Sequence, residues 1–251
     1  PYQDNDYNSY STTDTDWSKE YLGVGTNLYA DLSLTSGTKK TSNYVTGSYY
    51  KTDNTVKSDS QQRFSFRTRN SYDFTKWLRF NAQLSASYNT NNLFPLYRGF
   101  LETLPIFEPY LSDGSFRLYN KVYDEASGGW VMRKFTKNEV PAREANTNTQ
   151  RSVMTSANFS VEAKIFDGLK FTSQYAIDYT HSHEDIYYSR TTLSGMDSAG
   201  NPKGSSRRAD ASYMNWTNVE RLNYDKRFAD RHNVSAYAGV EFRQVKYQTL
   251  Y

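Results

Sequence analysis

From Leu78 to Tyr88 the chain alternates strictly. Leu78, Phe80, Ala82, Leu84, Ala86 and Tyr88 are apolar or aromatic, and Arg79, Asn81, Gln83, Ser85 and Ser87 between them are polar. A strand sends successive side chains to opposite faces, so this period predicts a strand with one apolar face and one wet face. The pattern recurs over Leu28–Leu34, around Phe64 and Phe66, and over Ala157–Ile165, Leu169–Tyr179 and Val234–Phe242. It is weaker over Asn43–Lys51 and Trp216–Tyr224, and eight strands are expected in all. Most are read as ten to fourteen residues long. A typical soluble strand has roughly 5–6 residues, and a tilted strand crosses a bilayer in about 9–11.

The connections alternate as well. Short turns are expected at Gly37–Lys40, Thr75–Trp77, Phe166–Gly168 and Ala229–Arg231, and long polar connections at Thr52–Arg63, Thr90–Gln150 and His181–Ser212. Short turns on one rim and long loops on the other mark an outer-membrane β-barrel, with the short turns periplasmic. Phe74, Trp77, Phe166, Phe171, Tyr224 and Phe228 fall near the short-turn ends, where a barrel carries its interfacial aromatic girdle. The competing fold, a soluble β-sandwich, also alternates, but shows turn signals every 8–12 residues or so. The first strand, Thr26–Ser36, runs into a short turn and the last, His232–Lys246, leaves one. Both then have their far ends outside the cell. The expectation is an internal piece of a larger barrel: residues 1–23 as extracellular loop and 24–251 as partial barrel, without a plug.

Composition narrows the function classes. The chain has 251 residues, 37% hydrophobic and 16% aromatic, with 23 Tyr and 14 Phe. Disordered chains are poor in aromatics, and no run approaches the ~18–20 apolar residues of a spanning helix. Cysteine is absent, which excludes disulfides, thiolate metal sites and a cysteine nucleophile. The net charge of +3 is spread along the chain, with no basic block that calls for nucleic acid. Pro1 opens the chain without a signal-peptide pattern. No G-x-S-x-G motif or P-loop is present. His181-Ser182-His183-Glu184-Asp185 reads as a solvated strand end entering a loop rather than a metal site. The acidic start, Asp4, Asp6, Asp14 and Asp16, lacks the glycine and closing Glu of a calcium loop. No catalytic residue, metal or cofactor is assigned.

Several runs resemble one family. Asp14-Thr15-Asp16-Trp17, the stretch from Asn27-Leu28 through Ser33-Leu34-Thr35-Ser36-Gly37-Thr38-Lys39-Lys40-Thr41-Ser42, and Arg63-Phe64-Ser65-Phe66-Arg67 look like the early barrel of SusC/RagA-type TonB-dependent transporters. So do Thr75-Lys76-Trp77-Leu78, Asp167-Gly168-Leu169-Lys170-Phe171, Ile177-Asp178-Tyr179 and Leu222-Asn223-Tyr224-Asp225-Lys226-Arg227-Phe228. The likeness covers nearly the whole chain, in the family's order. It implies an all-β, antiparallel transmembrane barrel of about 22 strands in the Bacteroidota outer membrane. Such a barrel carries an N-terminal plug and a SusD-like lipoprotein lid. It imports oligosaccharides or peptides, driven through TonB by the N-terminal region that this chain lacks.

Within that frame Arg67, Arg69, Asp73, Glu162, Lys164 and Asp178 are expected on the lumen face, as plug contacts or ordinary lumen solvation. The loop Thr90–Gln150 holds the candidates for ligand or lid contact: Tyr97, Phe107, Tyr110, Tyr119, Tyr123 and Trp130, with Phe100, Phe116 and further aromatics. Aromatic faces stack on sugar rings and Tyr adds a hydroxyl, and lid contact also favours Tyr and Trp. The alternative is that these rings fold the loop onto itself. Asp113-Gly114 reads as a turn within it. Two other classes stay open: a self-contained small outer-membrane barrel and a secreted sugar-binding sandwich.

Overall fold

The computed structural model describes residues 13–94, 101–229 and 231–250. In chain order the elements are α1 (Trp17–Tyr21), β1 (Thr26–Gly37), β2 (Thr41–Asp53), β3 (Ser60–Asp73), β4 (Leu78–Asn92), β5 (Tyr119–Asp124) and β6 (Gly129–Lys134). They continue with α2 (Val140–Ala145), β7 (Thr147–Phe166), β8 (Leu169–Tyr188), a 3-10 turn at Leu193–Gly195, β9 (Ser205–Phe228) and β10 (His232–Leu250). Eight strands form one antiparallel sheet in the order β1-β2-β3-β4-β7-β8-β9-β10, and β5-β6 is a separate hairpin inside the long loop. Each sheet strand therefore pairs with the sheet strand next to it in sequence.

The register shows what the alternation is for. Leu34, Val45, Thr68, Leu84, Ala157, Ile177, Trp216 and Gln244 stand side by side across the sheet. One residue along, on the opposite face, stand Ser33, Thr46, Arg67, Ser85, Ser156, Asp178, Asn215 and Val245. One face is thus mainly apolar and the other mainly polar. In a soluble sandwich the apolar face would be the core. Here it is bare: Leu32 is 72% exposed and Phe242 55%, with Leu84, Val161 and Ile177 exposed likewise. The fully buried apolar cluster is small and lies off the sheet, at Trp17, Tyr21, Phe135 and Val140. An apolar sheet face that none of the described residues covers is the outside of a membrane barrel. No described helix is long and apolar enough to cross a membrane, and crossing by strands does not need one.

The four short turns fall where the sequence places them. The tightest is Asp167-Gly168 between β7 and β8, where Gly168 has φ +93. A Cβ there would meet Asp225 O at 3.1 Å and Lys226 Cβ at 3.0 Å, so both the backbone angle and the space select glycine. The strand ends on the other rim depart from expectation. β8 runs on to Tyr188 and β9 begins at Ser205, so His181–Asp185 lies inside a strand rather than at its entry into a loop. β9 has 24 residues, roughly twice the length that a bilayer needs. Its pairing with β8 and β10 carries the sheet well past the apolar band.

Candidate functional site

The polar face holds the six charged residues read as lumen groups, and mostly pairs them within the sheet. Arg79 grips Asp73 with two bonds, Nε to Oδ1 at 2.6 Å and Nη2 to Oδ2 at 3.0 Å. Glu162 accepts from Asn81 at 3.2 Å and lies 3.4 Å from Lys170 Nζ. Asp178 accepts from Ser156 at 2.7 Å and Asn215 at 3.3 Å, and Arg69 donates to Gln83 at 3.3 Å. Arg67 stands across from Ser85, and Lys164 across from Lys170. At the short-turn rim Asp73, Arg79, Glu162, Lys164 and Lys170 join a recess of about 470 Å³. Six cations line it (Lys39, Lys40, Lys76, Arg79, Lys164, Lys170) against the two carboxylates Asp73 and Glu162. The turn lysines did not stand out from the sequence. Their signal is that two separate short turns, which share one rim, both carry lysine.

At the other rim the long loop is a folded unit. Asp16 caps α1, its Oδ1 accepting from Lys19 N at 3.2 Å, which presents Trp17 and Tyr21 to one side. Trp17 meets Phe135 edge-on at 5.9 Å, and Phe107 lies 5.4 Å from the same ring. Tyr110 stacks on Phe116 at 5.8 Å, across the turn in which Gly114 has φ +82. That is the Asp113-Gly114 turn read from sequence. Asn138 is buried and donates to Pro109 O and Arg117 O, both at 2.9 Å, stitching the loop's halves together. Burial pushes the Tyr21 hydroxyl up to about 12. Burial, with the bond to Glu144 at 2.8 Å, does the same for Tyr110, pushed up to about 12. Both stay protonated: Tyr110 donates to Glu144, and the Tyr21 hydroxyl oxygen accepts from Glu139 N at 2.6 Å.

The loop aromatics therefore divide. Phe107 and Tyr110 belong to the loop's own packing. Tyr119 is tied to Met196, its hydroxyl 3.5 Å from Sδ. Tyr123 and Trp130 are register partners across the β5-β6 hairpin, their rings edge-to-face at 5.7 Å. They are 55% and 64% exposed, and they are the pair of named candidates that the fold presents outward. Tyr97 and Phe100 lie outside the described residues.

Above the apolar band a polar cluster sits on the outward face of β8 and β9. His183 Nδ1 lies 2.8 Å from Asp210 and its Nε2 3.0 Å from Asp185. Arg151 and Arg208 reach Asp185 at 3.0 and 2.9 Å. The hydrogen bond with Asp210 raises the His183 pKa against a smaller desolvation effect, and Asp185 adds to the rise. Among the described residues no group of three or more His, Cys, Asp or Glu is placed to hold a metal.

No protein-family profile matches the chain. TonB-dependent receptor P3 of Formosa agariphila is 23% identical over 251 residues, covering 92% of this chain and 23% of that protein. TonB-dependent receptor P26 of the same organism is 21% identical over 242 residues, covering 96% and 23%. The solved RagAB peptide importer in its closed-closed state superposes with a TM-score of 0.75 at 18% identity, covering 95% of this chain and 26% of that one. The fold is that of a SusC/RagA-type TonB-dependent transporter barrel. The resemblance read from the sequence and the all-β fold class are borne out. The same RagAB importer in its open-open state gives 0.71 over 98% of the chain. The chain spans about a quarter of the length of these relatives. Their names describe receptors and importers, not enzymes.

Proposed function

We propose that the chain is wall and extracellular loop of a TonB-dependent outer-membrane importer that takes up oligosaccharides or peptides beneath a SusD-like lipoprotein lid. The carrying observation is the two-faced sheet, apolar and uncovered on one side and polar on the other. It supports a wall between lipid and a hydrated lumen. The names of the relatives support TonB dependence, and RagAB is a peptide importer. Residues 1–23 belong to the extracellular side on this reading. In support, Tyr21 O accepts from Lys57 N at 2.9 Å and Leu22 bridges to Val56 in the β2–β3 connection, which is on the long-loop rim. The cationic recess at the short-turn rim suits the plug as its partner, and the Tyr123–Trp130 hairpin suits the lid or the cargo.

The test is uptake of labelled oligosaccharides and peptides by cells carrying the whole transporter, with and without TonB. Uptake of one class that stops when TonB is removed supports the reading. Uptake of neither class, or uptake indifferent to TonB, sinks it. The outer-membrane polypeptide bearing this sequence should also have a mass on the order of 100 kDa, as a roughly 22-stranded barrel with a plug requires.

A further inference from the structure

The recess at the short-turn rim carries charge that nothing within it balances. Of its two carboxylates, Asp73 is gripped by Arg79 and Glu162 lies against Lys170. Lys39, Lys40, Lys76 and Lys164 are left over. All four are exposed, and among the described residues none of them forms an ion pair. Lys164 and Lys170 are also direct register partners, and like charges directly opposite one another destabilise a sheet. Thr75 is the other polar lining residue, and its hydroxyl already accepts from Trp77 N at 3.2 Å and Leu78 N at 3.1 Å. Asp73, Arg79 and Glu162 follow one another in register on the face of Ser85, so the recess belongs to the lumen side.

The backbone holds these lysines where they stand. Thr38 Oγ1 accepts from Lys40 N and Thr41 N, each at 3.1 Å. Asp73 N donates to Lys40 O at 2.8 Å, and Lys164 N to Trp77 O at 2.7 Å. Each lysine-bearing turn is thereby tied to the end of a neighbouring strand. Ammonium groups clustered in this way repel one another. One isolated carboxylate would leave most of them unbalanced, whereas several anionic groups close together would each gain a charge-assisted hydrogen bond. A cationic surface is repelled, and a neutral one gains no ionic contact. Trp77 adds an indole to the lining and is 54% exposed. A small inorganic anion leaves that ring bare; a polypeptide segment covers the ring and the charges together.

We propose that the recess seats an acidic polypeptide segment, whose closely spaced Asp or Glu side chains pair with Lys39, Lys40, Lys76 and Lys164. The inference rests on the import reading, in which the polypeptide inside this lumen is the plug. It adds the chemistry of the plug surface that meets the β1–β2 and β3–β4 turns and the end of β7: that surface is acidic, and ionic contacts hold it.

The experiment is cross-linking of the full-length transporter in detergent with a water-soluble carbodiimide, which joins a lysine amine to a carboxylate in contact with it. Peptide mass spectrometry then locates the links. At least two of the four lysines should be joined to Asp or Glu outside residues 1–251. Links confined to carboxylates within residues 1–251, or no links, overturn the proposal. Added pyrophosphate that shields the four lysines from acetylation, with no link to the plug, would make the recess a free-anion site and overturns it too. These measurements use the unaltered protein and need no variant to fold. As a second arm, Lys40→Glu with Lys76→Glu should speed proteolytic clipping of the plug about tenfold, the loss of one charge-assisted contact. Lys40→Arg with Lys76→Arg, which keeps the charge, should leave the rate unchanged. An unaltered rate in the glutamate pair overturns the ionic seat. Uptake indifferent to TonB would strike the import reading and leave the links in place; absent links with TonB-dependent uptake intact would strike this inference alone.

Discussion

Among the described residues Arg117 is the largest fully buried side chain, 1% exposed, in a loop where a long cation would ordinarily reach water. Its Nη2 lies 3.6 Å from Glu108 Oε2, and Glu108 also accepts from Thr13 at 3.0 Å. The Nε and Nη1 atoms have no hydrogen-bond partner. Removing one partner of a buried ion pair strands the other charge at a cost of roughly 3–5 kcal/mol, whereas replacing the cation by an apolar side chain of similar volume is often close to neutral. Solvent reaches Glu108, so Glu108→Gln should cost the loop less than that range, about 2 kcal/mol. Arg117→Met should cost less still. Amide exchange over residues 101–146 checks the order, and a larger loss for Arg117→Met would refute this account. Such single-residue facts were hidden in the sequence. Nothing in the string Pro109–Leu118 says that its arginine turns inward, because the partners come from Thr13 and Glu108, brought together by folding. Likewise Phe107 and Tyr110 read as exposed rings for a ligand as readily as buried ones, until Phe135 and Phe116 are seen to cover them.

Strands are legible where both faces keep their polarity and blurred where they do not. β4 has apolar residues at every even position from Leu78 to Tyr88, and was unmistakable. β9 was less clean for a reason that the register exposes. Asn218 and Glu220 stand on the apolar face, opposite Tyr175 and Ser173, while Val219 sits on the polar one. Glu220 accepts there from Ser173 at 2.8 Å and Asn218 at 2.9 Å, so the strand carries its own solvation for the carboxylate. β2 is blurred in the same way by Tyr44 and Tyr50 on the polar face. The extended ends of β7–β9 carry no alternating signal, because they rise beyond the lipid, where polar residues stand on both faces and Ile186, Tyr187 and Tyr188 follow one another without alternation. The faces can be separated by one pair of neighbours. Leu84 lies mid-strand on the apolar face and Ser85 beside it on the polar face. Leu84→Arg should destabilise the full barrel by about 2–4 kcal/mol, the cost of an arginine facing lipid near the midplane. Ser85→Arg should change it by well under 1 kcal/mol. Urea unfolding of the barrel in lipid vesicles measures both. Equal effects would mean that the face assignment is wrong.

At the scale of the molecule, the stability of this chain is borrowed. Its two edge strands, β1 and β10, are exposed at every described position. Each pairs along one side only, β1 with β2 and β10 with β9. Half of their backbone donors and acceptors therefore face outward as an open template for further strands. The apolar face adds exposed apolar side chains on every strand from Leu32 on β1 to Phe242 on β10, broken on β9 by Asn218 and Glu220, well beyond the scattered exposure of a soluble monomer. Neither feature is relieved by the buried cluster at Trp17, Tyr21, Phe135 and Val140, which holds the loop and not the sheet. The prediction is that the polypeptide of residues 1–251, produced alone and refolded without detergent, aggregates through strand edges and apolar faces. In the full-length transporter the same residues should resist exchange and denaturant, because neighbouring strands close both edges and lipid covers the band. Sedimentation in detergent-free buffer decides between these. A soluble monomer with intact strand content would show that the apolar face is covered from within, and the membrane-wall reading, with the importer built on it, would have to give way to a sandwich.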